Sequence, residues 1–187
     1  MDKRKQILDA ALKLFVELGF HGTPTSMIAK EAGVANGTLF HYFATKDELV
    51  IALYVAIKNQ MAGHITEHAK AGQDFRETLR EQYLLSVFWA LEHPLEYRFT
   101  EQFKTSPFLM MIAPKEVEAS LKPYYDMLQK GMDAQIIKSR PPELVFSLIS
   151  SQTYGLNQYL LGQQQMPGAK LHQVISDAFD MLWAMIT

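Results

Sequence analysis

Apolar residues recur at intervals of three and four along almost the whole chain, and no segment shows the alternation typical of a β-strand. In the first segment they lie on one face of a helix that ends at Gly19: Ile7, Ala11, Leu14, Phe15 and Leu18. Proline and glycine separate the periodic segments, as they do at helix ends. The pattern predicts an all-α protein with three short N-terminal helices, a connecting helix and a larger helical bundle.

Two short helices are expected directly after the first one. Thr23 is a candidate N-cap with Pro24 at the first helical position, which predicts a second helix that ends at Gly33. A third helix is expected over residues 36–43. The short connection between them is typical of a helix-turn-helix.

A longer helix opens at the sequence TKDE, residues 45–48, which has the spacing of a capping box. It is expected to run to about Gly72, with one apolar face: Leu49, Leu53, Ile57 and Met61. Proline and glycine then bound five more segments of helical pattern: 74–92, 94–104, 114–136, 142–165 and 169–186.

Composition excludes several classes of protein. Apolar residues make up 48% of the chain, charged residues 20%, and cysteine is absent, so the chain is globular and has neither disulfides nor thiolate metal sites. The N-terminal residues lack the apolar core of a signal peptide, and the longest apolar run, Leu49 to Ile57, is too short to span a bilayer. We therefore expect a cytoplasmic protein without membrane contact.

The two faces of the third helix differ. Leu39 and Phe43 are four residues apart and are expected to pack against the core of the first two helices. The other face lacks Glu, Lys and Gln, which usually fill a solvent-exposed helix surface. A DNA groove accounts for this, since such polar-tipped and aromatic side chains suit base edges and phosphates. Net charge is −2 overall but +1 over residues 1–60, which agrees with a few placed contacts and not with a non-specific DNA coat.

Residues 20–50, FHGTPTSMIAKEAGVANGTLFHYFATKDELV, resemble the DNA-binding region of the tetracycline-repressor (TetR) family. The resemblance is dense over residues 7–53 and extends over 74–187 only in length and helix number. It implies a homodimer on a palindromic DNA operator, a repressor released when a small molecule binds the C-terminal domain, and no cofactor. It implies a DNA-binding domain at 1–46 and an effector-binding and dimerisation domain at 47–187, with helix 47–72 as connector.

Matched position by position, the resemblance also implies DNA contacts. It places Thr25 and Ser26 near phosphates or bases, and Tyr42 and Lys46 on phosphates. The residues expected at base edges are Gly37, Thr38, Phe40 and His41. Two departures are visible: Phe40 replaces a common Tyr, and Ala35-Asn36 replaces a common Ser-Lys. Asn36, which stays among the expected DNA-binding residues, is therefore expected to take over the cap, and one phosphate-seeking charge is lost. Both departures weaken the charge-dependent part of binding, so operator affinity is expected to depend only modestly on salt.

Other interpretations of these motifs stay open. The helix-turn-helix of a helical ligand-binding or scaffolding protein could contact protein instead of DNA, and Lys3-Arg4-Lys5 is either a solvated end or an arm that contacts DNA. His64 and His68 have the spacing of a metal site, but no third ligand is apparent, so no metal is predicted. Enzyme motifs such as a phosphate loop, a nucleophile elbow or HExxH are absent.

The C-terminal segments suggest a pocket and an interface. Aromatic and methionine residues with a few polar tips favour a small, largely apolar effector: Phe88, Trp89, Arg98, Phe99, Phe103, Met110, Tyr124, Met127, Tyr154 and Gln158. Two stripes on the last helices are expected to form the dimer interface, unless they only close the bundle: Leu148, Ser151, Gly155, Leu156, Phe179, Leu182, Trp183 and Ile186.

Overall fold

A computed structural model describes residues 2–69, 74–112, 114–163 and 166–187. Within these ranges all regular structure is helical, which confirms the predicted fold class. The α-helices are α1 Lys3–Leu18, α2 Thr25–Glu31, α3 Asn36–Tyr42, α4 Lys46–His68, α5 Phe75–Glu92, α6 Pro94–Lys104, α7 Pro114–Asp133, α8 Pro142–Gly162 and α9 Gly168–Ile186, with a short 3₁₀ helix at Pro107–Met111.

The chain forms two compact units, which do not follow the order of the sequence. The first unit consists of residues 1–63 and 93–113, and the second of 64–92 and 114–187. The first unit therefore takes in most of α4 and all of α6, beyond the boundary predicted at residue 46. The functional division at that boundary stays a prediction.

An aromatic cluster joins α6 to the N-terminal helices within the first unit. Phe99 of α6 is fully buried, with its ring 6.2 Å from that of Phe15 and 5.7 Å from that of Phe20. Phe103, one turn later, stacks on Tyr54 of α4 at 4.0 Å between ring centroids. Each such pair contributes about 0.5–1.5 kcal/mol beyond the area it buries, so α6 belongs to the core of this unit.

The start of α2 differs from the prediction at Thr23. Pro24 lies at the N-cap position and makes no side-chain cap, and Thr25 is the first helical residue. The Thr23 side chain is fully buried, and its hydroxyl is 2.8 Å from the Gly19 carbonyl oxygen and 3.2 Å from that of Leu14. Thr23 therefore closes the turn after α1, because its buried hydroxyl meets the carbonyl of the C-cap residue Gly19 and that of Leu14 one turn earlier.

The capping motif of α4 forms with one change of partner. The Glu48 backbone N–H donates to the Thr45 hydroxyl at 3.1 Å, as predicted. The Glu48 carboxylate accepts from the backbone N–H of Ala44 instead of Thr45. The helix ends at His68, and the predicted end at about Gly72 lies outside the described residues.

The second unit has its own apolar core, built largely from α5, α8 and α9 with parts of α7. Buried Phe179, Leu182 and Ile186 of α9 and Leu156 of α8 belong to this core. These side chains already pack inside their own bundle and leave little surface for a partner, so their assignment to a dimer interface stays a prediction. A polar link crosses the same core: the Tyr83 hydroxyl donates to Gln152 at 2.8 Å.

Candidate nucleic-acid interface

The turn between α2 and α3 is set by backbone hydrogen bonds around Gly33. Gly33 has φ +66°, a left-handed conformation that glycine adopts without strain. The Val34 N–H donates to the Ala29 carbonyl at 2.9 Å, and the Gly33 N–H donates to the Lys30 carbonyl at 3.1 Å. These two bonds form a Schellman motif, which ends α2 and turns the chain toward α3.

Helix α3 has the two faces that the sequence predicted. Leu39 and Phe43 are 0% and 2% exposed, which confirms their packing into the core of the first unit. Phe40 and Tyr42 are exposed by 43% and 38%. Thr38 is half-buried, and Asn36, Gly37 and His41 are exposed.

The outward aromatic side chains of α3 are partly braced. The rings of His41 and Tyr42 meet edge to face at 5.4 Å between centroids. Bracing limits the rotamers that would have to be ordered on binding, which lowers the entropic cost of a contact. Phe40 exposes its ring beside them, and an exposed apolar ring suits contact with a thymine methyl group.

The start of α3 corrects the role predicted for Asn36. Ala35 precedes the first helical residue and provides no side-chain cap, and Asn36 is the first residue of the helix. An exposed amide at this position is free to face outward, because it is not needed to cap the backbone.

Gly37 has no reason inside the protein to be glycine. Its φ is not left-handed, and a Cβ built on it would meet nothing within 4 Å. In a helix, glycine is less stable than alanine by roughly 0.5–1 kcal/mol. A site that keeps the backbone bare at such a cost is suited to close approach by a large partner.

Helix α2 also exposes side chains. Thr25 is half-buried and Ser26 is exposed, as DNA contacts would require. Met27, 38% exposed, and Lys30, exposed one turn after Ser26, were missed by the sequence analysis. The spacing of Ser26 and Lys30, four residues along a helix, was the available signal.

Lys46 has a structural contact that the sequence did not indicate. Its ammonium group donates to the backbone carbonyl of Phe20 and is half-buried. The contact ties the first turn of α4 to the turn after α1. It fixes a positive charge close to the N-terminus of α4, whose own N–H groups also favour anions.

Lys3-Arg4-Lys5 is helical and does not form an extended arm. Asp2 caps α1 by accepting from the Arg4 backbone N–H at 2.9 Å, and all three basic side chains are exposed. The Arg4 guanidinium lies over the ring of Phe43 at 5.4 Å. This cation–π contact places the charge next to the C-terminal end of α3.

The predicted effector-pocket residues divide between the two units. Arg98, Phe99, Phe103 and Met110 belong to the first unit, and Phe88, Trp89, Tyr124, Met127, Tyr154 and Gln158 belong to the second. In the first unit, Phe99 and Phe103 are fully buried in the aromatic cluster and Met110 is 87% exposed. In the second, Trp89 is buried, Phe88, Tyr124 and Met127 are half-buried, and Tyr154 and Gln158 are exposed.

The predicted interface residues of α8 lie mostly on an exposed face. Leu148 is 41% exposed, and Ser151 and Gly155 are exposed at spacings of three and four. A Cβ on Gly155 would meet nothing within 4 Å. Trp183 of α9 is half-buried against the core.

The described residues offer neither a metal cluster nor a membrane-spanning helix. No group of three or more His, Asp or Glu side chains in the described ranges is arranged to hold a metal ion. His68 instead approaches the His64 carbonyl oxygen through Nδ1 at 2.8 Å. None of the described helices combines the length and apolar character needed to cross a bilayer.

Comparison with known proteins identifies the group to which this architecture belongs. Residues 7–53 match the family model described as bacterial regulatory proteins, tetR family. The chain is 33% identical over 160 residues to the HTH-type transcriptional regulator RutR of Escherichia coli K12. The aligned region covers 80% of this chain and 71% of that protein. The chain belongs to the TetR family.

Two further proteins resemble this chain in fold or in sequence. A crystal structure of a tetR family transcription regulator from Shewanella sp. PV-4 superposes with a TM-score of 0.91 at 27% identity, covering 100% of this chain and 98% of that one. The fatty acid metabolism regulator protein of Bacillus subtilis is 38% identical over 77 residues, 41% of this chain and 40% of that protein. The chain is thus a DNA-binding transcription regulator and not an enzyme, as its relatives are.

Proposed function

We propose that this protein is a homodimeric repressor whose two copies of α3 read a palindromic DNA operator. The observation that carries the proposal is the exposed face of α3, which presents Gly37, Phe40, His41 and Tyr42 and no charged side chain. Phosphate contacts come from Tyr42, Lys46, Thr25 and Ser26, with Lys30 as an addition. Base contacts come from Thr38, His41, Phe40 and the backbone at Gly37. Asn36 lies at the start of α3, at the margin of this DNA-binding surface.

The effector is proposed to be small and largely apolar and to bind in the second unit. Half-buried Phe88, Tyr124 and Met127 support this assignment, because they combine apolar surface with partial access. The name of the Bacillus subtilis relative supports acyl compounds as the first class to test. That likeness covers 41% of the chain, so it guides the choice of compounds and does not identify the effector.

Release from DNA is proposed to act through α4 and α6. Helix α4 passes from the first unit into the second after Gly63, and α6 is held in the first unit by Phe99 and Phe103. A shift of either helix would alter the separation of the two α3 helices, which must match major grooves about 34–36 Å apart. Coupling of about 1–3 kcal/mol would lower operator affinity roughly 5- to 150-fold.

The proposal is tested by selecting bound sequences from a random duplex pool with the purified protein at about 0.1 M salt, where long-range charge attraction is substantially screened. An enriched palindrome with half-sites about one helical turn apart is the expected result. If a folded, dimeric protein enriches no sequence, the exposed face of α3 is a surface for protein and the proposal is wrong.

Two variants then separate base readers from phosphate contacts. We expect His41→Ala to change the preferred base at one position of each half-site. Tyr42→Phe should weaken all sequences about tenfold alike, because it removes one hydrogen bond to a charged group. Selection with each variant measures this, and Lys122→Ala, an exposed residue of α7, is the control. A uniform loss for both variants would contradict the assignment of His41.

A further inference from the structure

One face of α4 in the first unit has an unusual composition. The helix buries Leu49, Leu53 and Ile57 in the core, which accounts for one side. A second strip is also apolar and lines an open groove of about 650 Å³: Ile51, Ala52, Val55 and Ala56. We call this the α4 groove. Helices that are apolar on more than their core-facing side commonly have a second packing partner.

The lining of the α4 groove includes charges of both signs. Arg4 of α1 lines it with its guanidinium over the ring of Phe43, and Asp47 lines it from the first turn of α4. Neither side chain forms an ion pair within the part of the chain that the structure describes. The neighbouring Glu48 carboxylate accepts a hydrogen bond from the Ala44 N–H. Arg4 and Asp47 thus remain available to an outside partner.

Exposed methionines adjoin the same groove. Met111 lines it and is 53% exposed, and Met110 beside it is 87% exposed. Methionine is flexible and fills irregular apolar gaps well. The surface therefore combines a groove with exposed, flexible methionine side chains that can fill such a groove on a partner.

We propose that the α4 groove is a contact between the first units of two copies of this chain. A two-fold contact lays one surface on the same surface of its partner, so a surface that holds both charges complements itself. Arg4 of one copy then faces the partner's Asp47, and the reverse pair forms as well. The apolar lining residues and the methionines of the two copies then pack together between the two pairs. A DNA backbone fits the groove itself poorly, because its lining holds Asp47 and Glu48 against a single Arg4 and does not include Lys46.

The absence of cysteine from the chain allows a direct test. Single cysteines are placed at Ile51, Val55 and Asn59, one turn apart along the groove, and the protein is oxidised without DNA. At least one variant is expected to form a covalent dimer at ten or more times the rate of the Leu95→Cys control, about the gain expected from a populated specific contact. Leu95 is 42% exposed on α6, against 40% for Val55, and does not line the groove. Rates equal to the control for all three positions would overturn the proposal.

Charge variants in the best cross-linking background test the pairing. Arg4→Asp and Asp47→Arg should each slow cross-linking about tenfold, because each places like charges together twice in the contact. The combined Arg4→Asp/Asp47→Arg variant should restore the rate, which also shows that the single variants did not fail by unfolding. Helical circular dichroism is recorded for each protein. Cross-linking that none of these changes affects would overturn the pairing, whether or not the protein binds DNA.

Discussion

Two amide side chains on α8 lie five residues apart and differ in what they bond. Gln152 uses both ends of its amide: it accepts from the Tyr83 hydroxyl at 2.8 Å, and its Nε2 donates to the Ala178 carbonyl at 2.9 Å. Burial raises the pKa of Tyr83 to about 12, so this hydroxyl stays a donor over the whole physiological range. Asn157 is 2% exposed, and its Oδ1 has no partner among the described residues.

Replacing each of these two amides with leucine should change the free energy of unfolding in opposite directions. Asn157→Leu should raise the free energy of unfolding by about 1–2 kcal/mol, since an unpaired buried oxygen is removed. Gln152→Leu should lower it by about 1–3 kcal/mol, because Tyr83 and Ala178 lose their partner. Chemical denaturation of the two variants beside the native protein measures both. A destabilised Asn157→Leu would show that this amide is satisfied in solution.

Gly37 gives a second prediction at the level of one residue. Gly37→Ala has open space for its methyl group, so stability should stay the same or rise by up to about 1 kcal/mol. Operator affinity should fall tenfold or more if DNA approaches the bare backbone there. Thermal unfolding and a binding titration on the selected palindrome are both needed. Unchanged affinity would show that the DNA keeps its distance from this residue.

The burial pattern of α3 was predictable from the sequence, and the fate of the aromatic residues was not. Leu39 and Phe43 follow from helical spacing alone, which is a local property. Phe99 and Phe103 were assigned to a pocket because they are aromatic, whereas their burial depends on Phe15, Phe20 and Tyr54, far away in the sequence. Lys46 was likewise assigned by motif, and its contact with the Phe20 carbonyl depends on a distant turn.

The ends of the helices were predictable where proline or glycine marks them in the sequence. The predicted segment 94–104 coincides with α6, since Pro94 opens it at a position where the missing N–H costs nothing. Helix α7 ends at Asp133 and not at residue 136, because Gln135 adopts φ +56° and the Ile136 N–H bonds to the Gly131 carbonyl. That ending is normally marked by glycine, and here no glycine marks it.

Replacing two glycines inside helices, Gly63 and Gly131, with alanine should change stability in opposite directions. Gly63 of α4 has nothing within 4 Å of a built Cβ, so Gly63→Ala should stabilise by about 0.5–1 kcal/mol through helix propensity. Gly131 of α7 would place that atom 2.4 Å from the ring of Phe75, so Gly131→Ala should lower stability by about 1–3 kcal/mol. The melting temperatures of both variants, compared with that of the native protein, test the two predictions. A stabilised Gly131→Ala would mean that Phe75 moves aside easily.

For the molecule as a whole, the proposed dimer depends on what α8 and α9 leave uncovered. Leu144 and Leu148 are 47% and 41% exposed on α8, and Met181 and Met185 are 72% and 42% exposed on α9. Exposed apolar residues grouped on adjacent packed helices are typical of protein–protein contacts. The interface is therefore proposed on this outer face, in place of the buried residues of α9.

Leu148→Glu should break the proposed contact made by α8 and α9, shift the protein toward the monomer and lower operator affinity on the order of a hundredfold or more, because two linked half-site contacts become one. Leu95→Glu, a similarly exposed leucine on α6, is the matched control and should remain dimeric. Sedimentation velocity and a DNA titration measure the two effects. A dimeric Leu148→Glu protein with native affinity would place the contact elsewhere.

The participation of α6 in the first unit has a consequence for recombining this protein with its relatives. A fragment that stops at Gly63 would expose the faces of Phe15 and Phe20 on which Phe99 packs. A chimera that takes only the N-terminal helices from a relative, with its junction in the connecting helix α4, would therefore pack α6 of one protein against α1 of another. These two surfaces did not evolve together. An exchange of operator specificity that preserves folding has to carry residues 93–113 with the N-terminal segment, as two separate cassettes.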